Sequence, residues 1–307
     1  MNKSESIKIL VNRLLSISLL ILIIYFFISY KQQVSQLLKH MDLRWFLVGV
    51  VCYFINYQLR ILRIQLFIKK YTRVPFHLLM KPVAFHGVYN YFLPVRSGDL
   101  TLPFLLHQYN HIPLPAGVSV LLKARIQDLV TLGMIIFSVA LFSPTHLTIT
   151  NRIIIGCFGL VMCVGSYVLI YLGQNQTGLL PEKVGNYLKA NKPVYPKVRE
   201  LILGFTIWGF TAATLYSVIK SLTIPLKFHD VWVLISIQLP FQLLPIQGLG
   251  NAGNHEAGWV GGMKLLGVEL EQAMSFALSS HVLLILFVLL LGVFALLCPS
   301  RNNHLDR

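Results

Sequence analysis

The sequence predicts an all-α, polytopic integral membrane protein with about six full spans and two re-entrant or broken helix hairpins. Composition, the length of the apolar runs and two apolar segments interrupted by proline and glycine predict it. Of 307 residues, 55% are hydrophobic and only 12% charged, whereas a soluble domain carries about 25% charged residues. A chain so poor in charge has lipid for most of its solvent. That excludes a soluble globular enzyme, a disordered tail and a disulfide scaffold. The 26 Lys+Arg outnumber the 11 Asp+Glu, for a formal net charge of +15. In a membrane protein such a surplus reads as positive-inside orientation and contact with anionic headgroups, so no nucleic-acid partner is expected. Cys52, Cys157, Cys163 and Cys298 lie inside apolar runs and read as small core residues, with neither disulfide nor metal spacing.

A bilayer core of about 30 Å needs roughly 20 apolar residues of helix. Six segments meet this: 14–30, 45–67, 114–142, 152–172, 201–222 and 273–297. Lys3, Lys8 and Arg13 precede the first, as in a signal peptide. Lys31, Gln32 and Gln33 follow it in place of a small-residue cleavage site, so it reads as an uncleaved span. The two interrupted segments are 76–106, broken by Pro82, Gly87, Pro94, Gly98 and Pro103, and 231–266, broken by Pro240, Pro245, Gly248, Gly250 and Gly253. Proline removes a helical hydrogen bond and glycine loosens the helix. Lipid cannot satisfy the freed backbone groups, so such breaks belong inside protein or along a wet cavity.

With the N-terminus in the cytoplasm and each hairpin returning to its starting side, the cytoplasmic pieces hold 15 Lys/Arg and the outer pieces 6. The positive-inside rule favours that orientation, with both termini cytoplasmic. The order span, span, hairpin, span then occurs twice with opposite orientation. It divides the chain into 1–145, 150–298 and a short tail, 299–307. Such an inverted repeat places a transported substrate among paired broken helices. Leu93-Pro94 with Gly98-Asp99 in one hairpin parallels Leu244-Pro245 with Gly248 and a later Glu256 in the other.

An ionisable residue within a span costs roughly 2.5–3.5 kcal/mol on the insertion scale and is a functional candidate by default. Arg60 and Arg63 share a helix face, Arg125 and Asp128 are spaced to pair, Arg96 and Asp99 flank Gly98, and His255 and Glu256 close the second glycine cluster. Simpler readings stand beside these: Arg60, Arg63 and Lys123 as snorkelling side chains, Arg125–Asp128 as a structural ion pair, Asp99 and Glu256 as helix caps, His281 as a hydrogen-bonded packing residue. Glycine-rich breaks expose N–H groups that hold anions, and guanidinium matches phosphate bidentately. Arg60, Arg63, Arg96 and Arg125 together point to a phosphate-bearing lipid headgroup. Gly248-Leu249-Gly250-Asn251-Ala252-Gly253 fits the dinucleotide fingerprint, but a proline-broken membrane segment is not its strand–turn–helix context. The chain has no Walker A motif, zinc-protease helix or nucleophile elbow, and no cofactor or metal is expected.

Four elements in order carry a resemblance: Arg60-Ile61-Leu62-Arg63, Leu93-Pro94-Val95-Arg96-Ser97-Gly98-Asp99, Arg125-Ile126-Gln127-Asp128 and Gly253-Asn254-His255-Glu256. The chain resembles the transmembrane, flippase-like domain of the lysylphosphatidylglycerol synthase family over nearly its whole length. Asp99 stands where that family usually has Glu, and the second break is looser and richer in amides than the family's Pro-Gly-Gly-x-Gly. The family's larger members add a soluble aminoacyl-transferase domain. The end at Arg307 therefore implies a stand-alone member that translocates lipid without synthesising it.

The expected function is a flippase or scramblase-like lipid transporter, rather than an enzyme, of the bacterial cytoplasmic membrane. Its expected partner is an anionic or polyprenyl-phosphate lipid. Arg60, Arg63, Arg96 and Arg125 would hold the phosphate, and Asp99, Asp128 and Glu256 would hold the arginines and could carry a proton. Asn90, Asn251, Asn254 and His255 would meet a sugar or amine headgroup. Two alternatives stay open: a membrane transferase or accessory subunit acting on lipid-linked sugars, and an ion or small-solute transporter.

Overall fold

The structure is a computed structural model and describes residues 24–26, 28–142, 147–175, 196–243 and 248–299. The helices that follow residue 30 are α1 (Lys31–Lys39), α2 (Leu43–Ile68), α3 (Phe76–Phe92), α4 (Thr101–Asn110), α5 (Leu114–Phe142), α6 (Ile149–Asn175), α7 (Val198–Ser221), α8 (Phe228–Leu243), α9 (Asn254–Leu265) and α10 (Leu270–Leu297). Short 3₁₀ turns occupy Pro94–Leu100 and Leu249–Asn251. No strand occurs among the described residues, and the protein is an all-α polytopic membrane protein. Five of these helices, α2, α5, α6, α7 and α10, are long and apolar enough to cross a bilayer. The expected first span lies outside the described residues except for 24–26 and 28–30.

The chain forms two compact units, each drawn from both halves of the sequence. The first comprises the described residues up to Tyr53, with Gly87–Asp99 and Ala212–Leu291. The second comprises Phe54–His86, Leu100–Thr211 and the described residues from Gly292.

In the second unit, α3 and α4 form an antiparallel pair around the first interruption. Asn110 Nδ2 donates to the Leu78 carbonyl at 3.1 Å at one end, and His86 Nδ1 lies 3.1 Å from Thr101 Oγ1 at the other. Ile61, Ile64, Phe67, Leu79, Val83, Leu106 and Val120 bury this pair against α2 and α5. Helices α5 and α6 approach through small residues: a Cβ on Gly133 would stand 2.6 Å from Cys163 Sγ and 2.8 Å from the Gly159 carbonyl. Small residues permit such approach where lipid supplies no hydrophobic drive between helices.

In the first unit, α8 and α9 form the second hairpin. A Cβ on Gly258 would meet Gln238 Cγ at 2.7 Å, and one on Gly262 would meet Leu234 Cδ2 at 2.8 Å, which sets the two helices antiparallel. Trp259 of α9 packs on Phe276 of α10, ring centroids 5.0 Å apart. The first interruption enters this unit at Gly98, where a Cβ would collide with the Tyr89–Asn90 backbone of α3. That contact explains a glycine between Arg96 and Asp99.

Candidate functional site

The expected site residues fall into two groups, one in each unit. The group in the second unit is ionic and joins three helices. Arg63, 4% exposed, donates from Nη1 to Asp128 Oδ1 at 2.5 Å and from Nη2 to Oδ2 at 3.4 Å. Arg125 Nη1 lies 3.7 Å from Asp128 Oδ2, the i,i+3 pair the sequence predicts. The charges of Arg63, Arg125 and Arg60 all bear on Asp128. Arg60 is steered by its own helix: its Nε donates to Asn56 Oδ1 at 2.7 Å and its guanidinium lies over the Tyr57 ring. Asn56 in turn donates to the Ile207 carbonyl at 2.6 Å and to Thr211 Oγ1 at 2.9 Å, tying α2 to α7.

Helices α5 and α7 meet through Lys123, whose Nζ is 2.6 Å from Glu200 Oε1, and Gln127, whose amide donates to the Glu200 carbonyl. The other Glu200 oxygen accepts the Lys197 N–H at 3.1 Å and so caps α7. Of the readings left open by the sequence, snorkelling does not describe Arg63 or Lys123: each is paired to a carboxylate on another helix. Within this group four cations (Arg60, Arg63, Lys123, Arg125) face two carboxylates (Asp128, Glu200). Carboxylates alone do not neutralise the group.

The group in the first unit is built around the second break. Gly250, Asn251 and Gly253 all have positive φ (63°, 64° and 85°), conformations open to glycine and tolerated by asparagine. Glu256 reaches back with Oε2 to accept the Gly253 N–H at 2.9 Å, so it caps α9 as the sequence allows. Its second oxygen contacts His281 Nδ1 on α10, and His281 Nε2 lies 2.8 Å from the Gly250 carbonyl. The His255 ring lies 4.6 Å from the His281 ring, tilted by 45°, and directs Nε2 at the Ala277 carbonyl (3.2 Å) and Ser280 Oγ (3.1 Å). From the first interruption, Tyr91 meets His281 edge-on at 6.2 Å, and a Cβ on Gly250 would contact Phe92. The two breaks therefore touch within one unit.

Asn90 lies half-buried in the last turn of α3, and Pro94 opens the 3₁₀ turn that ends with Asp99 and Leu100. Asn254 is buried at the start of α9, its Nδ2 without a partner among the described residues. Gly248 closes the break by donating its N–H to the Ala252 carbonyl at 3.0 Å. The Arg96 side chain and Pro245 lie outside the described residues. His281, Glu200 and Asn56 are additions. His281 is hydrogen-bonded, as the sequence suggests, but its partner sits 25 residues away, and no local spacing joins them. Asn56 had a signal: it lies one turn before Arg60 inside a span.

The family model described as the lysylphosphatidylglycerol synthase TM region matches residues 13–292. The chain belongs to that family and is a multi-pass membrane protein. No curated protein matches it.

Proposed function

We propose that this member of the lysylphosphatidylglycerol synthase TM region family translocates a phosphate-bearing lipid, a phospholipid or a polyprenyl-phosphate, across the bacterial cytoplasmic membrane. The observation that carries the reading is the pairing of both Arg63 and Arg125 with the single carboxylate of Asp128, with Arg60 one turn from Arg63, within helices of spanning length. An isolated ionised group in hydrocarbon costs tens of kcal/mol by the Born estimate. A preset cationic surface inside the protein lowers that cost for a passing phosphate, while the acyl or prenyl tails stay in lipid.

Asp128 has a defined part in this scheme. It holds Arg63 with both oxygens and Arg125 at 3.7 Å, and so fixes these guanidiniums beside Arg60; Arg60 and Arg125 are half-exposed. In the first unit, the amides Asn90, Asn251 and Asn254 offer hydrogen bonds to a sugar or amine group at the breaks. The hairpins are read as re-entrant, with both termini cytoplasmic, and alternation between membrane faces would come from the inverted repeat implied by the span order. The protein acts as a transporter in this scheme, not as an enzyme.

Reconstitution of the full chain into vesicles containing fluorescently tagged phosphatidylglycerol or polyprenyl phosphate tests the reading. Exposure of inner-leaflet probe to an external quencher is expected to be faster than in protein-free vesicles. Rates no faster than in protein-free vesicles, with both probes, refute it.

A further inference from the structure

We infer that Glu256 and His281 form a single-proton site that fastens the second break, and that loss and gain of this proton couples a pH difference to lipid movement. The coupling rests on the translocation reading above; the proton site does not.

The hydrogen-bond chemistry leads there. The Gly250 carbonyl has only lone pairs to offer, so His281 Nε2, 2.8 Å away, carries a hydrogen. With Nε2 so committed, the contact between Nδ1 and Glu256 Oε1 holds a hydrogen only if the pair carries one further proton. That proton sits on Nδ1, giving imidazolium against carboxylate, or on Oε1, giving a carboxylic acid that donates to a neutral ring. The pair is electrically neutral in both forms. Its loss leaves one ring hydrogen for two acceptors: the carboxylate, the stronger, keeps it on Nδ1, and the Nε2 lone pair then faces the Gly250 carbonyl, a repulsive arrangement in a low-dielectric interior.

The proton has mechanical consequences because of what the pair connects. One end is the Gly250 carbonyl; the other is the Gly253 N–H, bound at 2.9 Å by Glu256 Oε2. The clamp thus runs from backbone through ring and carboxylate back to backbone, across the stretch with three positive φ angles. Two of those three residues are glycines, which leave such conformations without steric resistance. Deprotonation releases the Gly250 end and keeps the Gly253 end.

The titratable neighbours of the pair among the described residues are His255 on α9 and Tyr91 on α3. His255 Nε2 faces the Ala277 carbonyl and so carries a hydrogen, which leaves Nδ1 as a lone-pair acceptor. That atom is buried, in a residue 1% exposed, and has no partner among the described residues. His255 therefore stands beside the pair as a neutral ring and adds no charge to it.

Hydrogen–deuterium exchange of residues 248–256 in the full chain, in detergent or nanodiscs, tests the site once intrinsic rates are corrected for pH. In the wild type, one released proton makes the opening constant rise up to about tenfold per pH unit above the transition. Glu256→Gln keeps the clamp closed, because the carboxamide N–H donates to Nδ1 while its carbonyl accepts the Gly253 N–H; its protection is expected to be high and independent of pH. His281→Ala removes the clamp, so its protection is expected to be low and equally flat. A flat wild-type profile, or equal loss of protection in both variants, overturns the site. Should a variant misfold, the wild-type profile decides.

Coupling is read in vesicles under an imposed pH gradient, where the wild-type lipid rate is expected to respond and the Glu256→Gln rate to stay constant. A wild-type rate indifferent to the gradient overturns the coupling. Lipid that does not move in any condition overturns the translocation reading and the coupling with it, while the exchange profile still decides the proton site.

Discussion

The cluster of the second unit and the break of the first unit handle polar groups in opposite ways. Around Asp128, charges are fixed by other charges: Arg63 binds it bidentately and Arg125 from a turn away, with Lys123 and Glu200 bracing α5 against α7. Around Glu256, the partners of the carboxylate and of His281 include backbone, at Gly253 and Gly250. An ion-pair network built on continuous helices resists rearrangement. A hydrogen-bonded clamp across glycines is made to change. The first group suits a fixed binding surface and the second a moving part.

Substitutions sharpen that contrast, and the largest effect belongs to the ionic group. Arg63→Ala leaves Asp128 buried beside a weaker partner, and removal of one member of a buried pair costs about 3–5 kcal/mol. Thermal unfolding in detergent is expected to show that loss, with much of it recovered in Arg63→Leu/Asp128→Leu, where no buried charge is stranded. A double variant as unstable as the single one would show that Asp128 is held by more than Arg63. Gly253→Ala comes next. Its φ of 85° strains any residue with a Cβ, by about 1–3 kcal/mol, and the strain is expected to appear as faster exchange confined to residues 248–256. Spread of the effect into α5 and α7 would mean that the break is not an independent moving part. Lys123→Met stands last. Its side chain is 31% exposed and its ammonium lies 4.4 Å from the Phe67 ring centroid, so loss of the Glu200 pair is expected to cost at most about 1 kcal/mol.

The spans were legible because their ends are chemically sharp. The expected 114–142 coincides with α5, and the bounds of 45–67, 152–172, 201–222 and 273–297 each lie within three residues of a helix end, while 14–30 falls mostly outside the described residues. Proline and glycine marked the interruptions only in part: Pro94, Gly98, Gly248, Gly250 and Gly253 lie at them, whereas Pro82 and Gly87 lie inside α3, Pro103 in the first turn of α4, where its missing N–H costs no helical bond, and Pro240 inside α8. The cluster was half legible. Arg60, Arg63, Arg125 and Asp128 are conspicuous as charges in spans, and the i,i+3 spacing identifies one of the pairings. The bidentate pairing of Arg63 with Asp128 depends on α2 meeting α5, which a one-dimensional pattern does not contain. Glu200 escaped because it sits just outside the apolar run of 201–222, where an acid reads as an ordinary first-turn residue. His281 was the hardest. A lone histidine in an apolar helix has no periodicity to betray a partner, and its function depends on a backbone carbonyl, at Gly250, that any residue type would carry.

The central claim is that lipid phosphate passes along the guanidiniums around Asp128. Arg125 is the position at which to test it, because its side chain is 36% exposed and its contact to Asp128 is the long one at 3.7 Å, so Arg125→Gln disturbs packing little. The decisive quantity is the initial rate of tagged-lipid exposure in vesicles holding wild-type or Arg125→Gln protein of matched thermal stability. A fall of about tenfold or more is predicted, the worth of one charge-assisted hydrogen bond to phosphate. An unchanged rate in the variant would contradict the account.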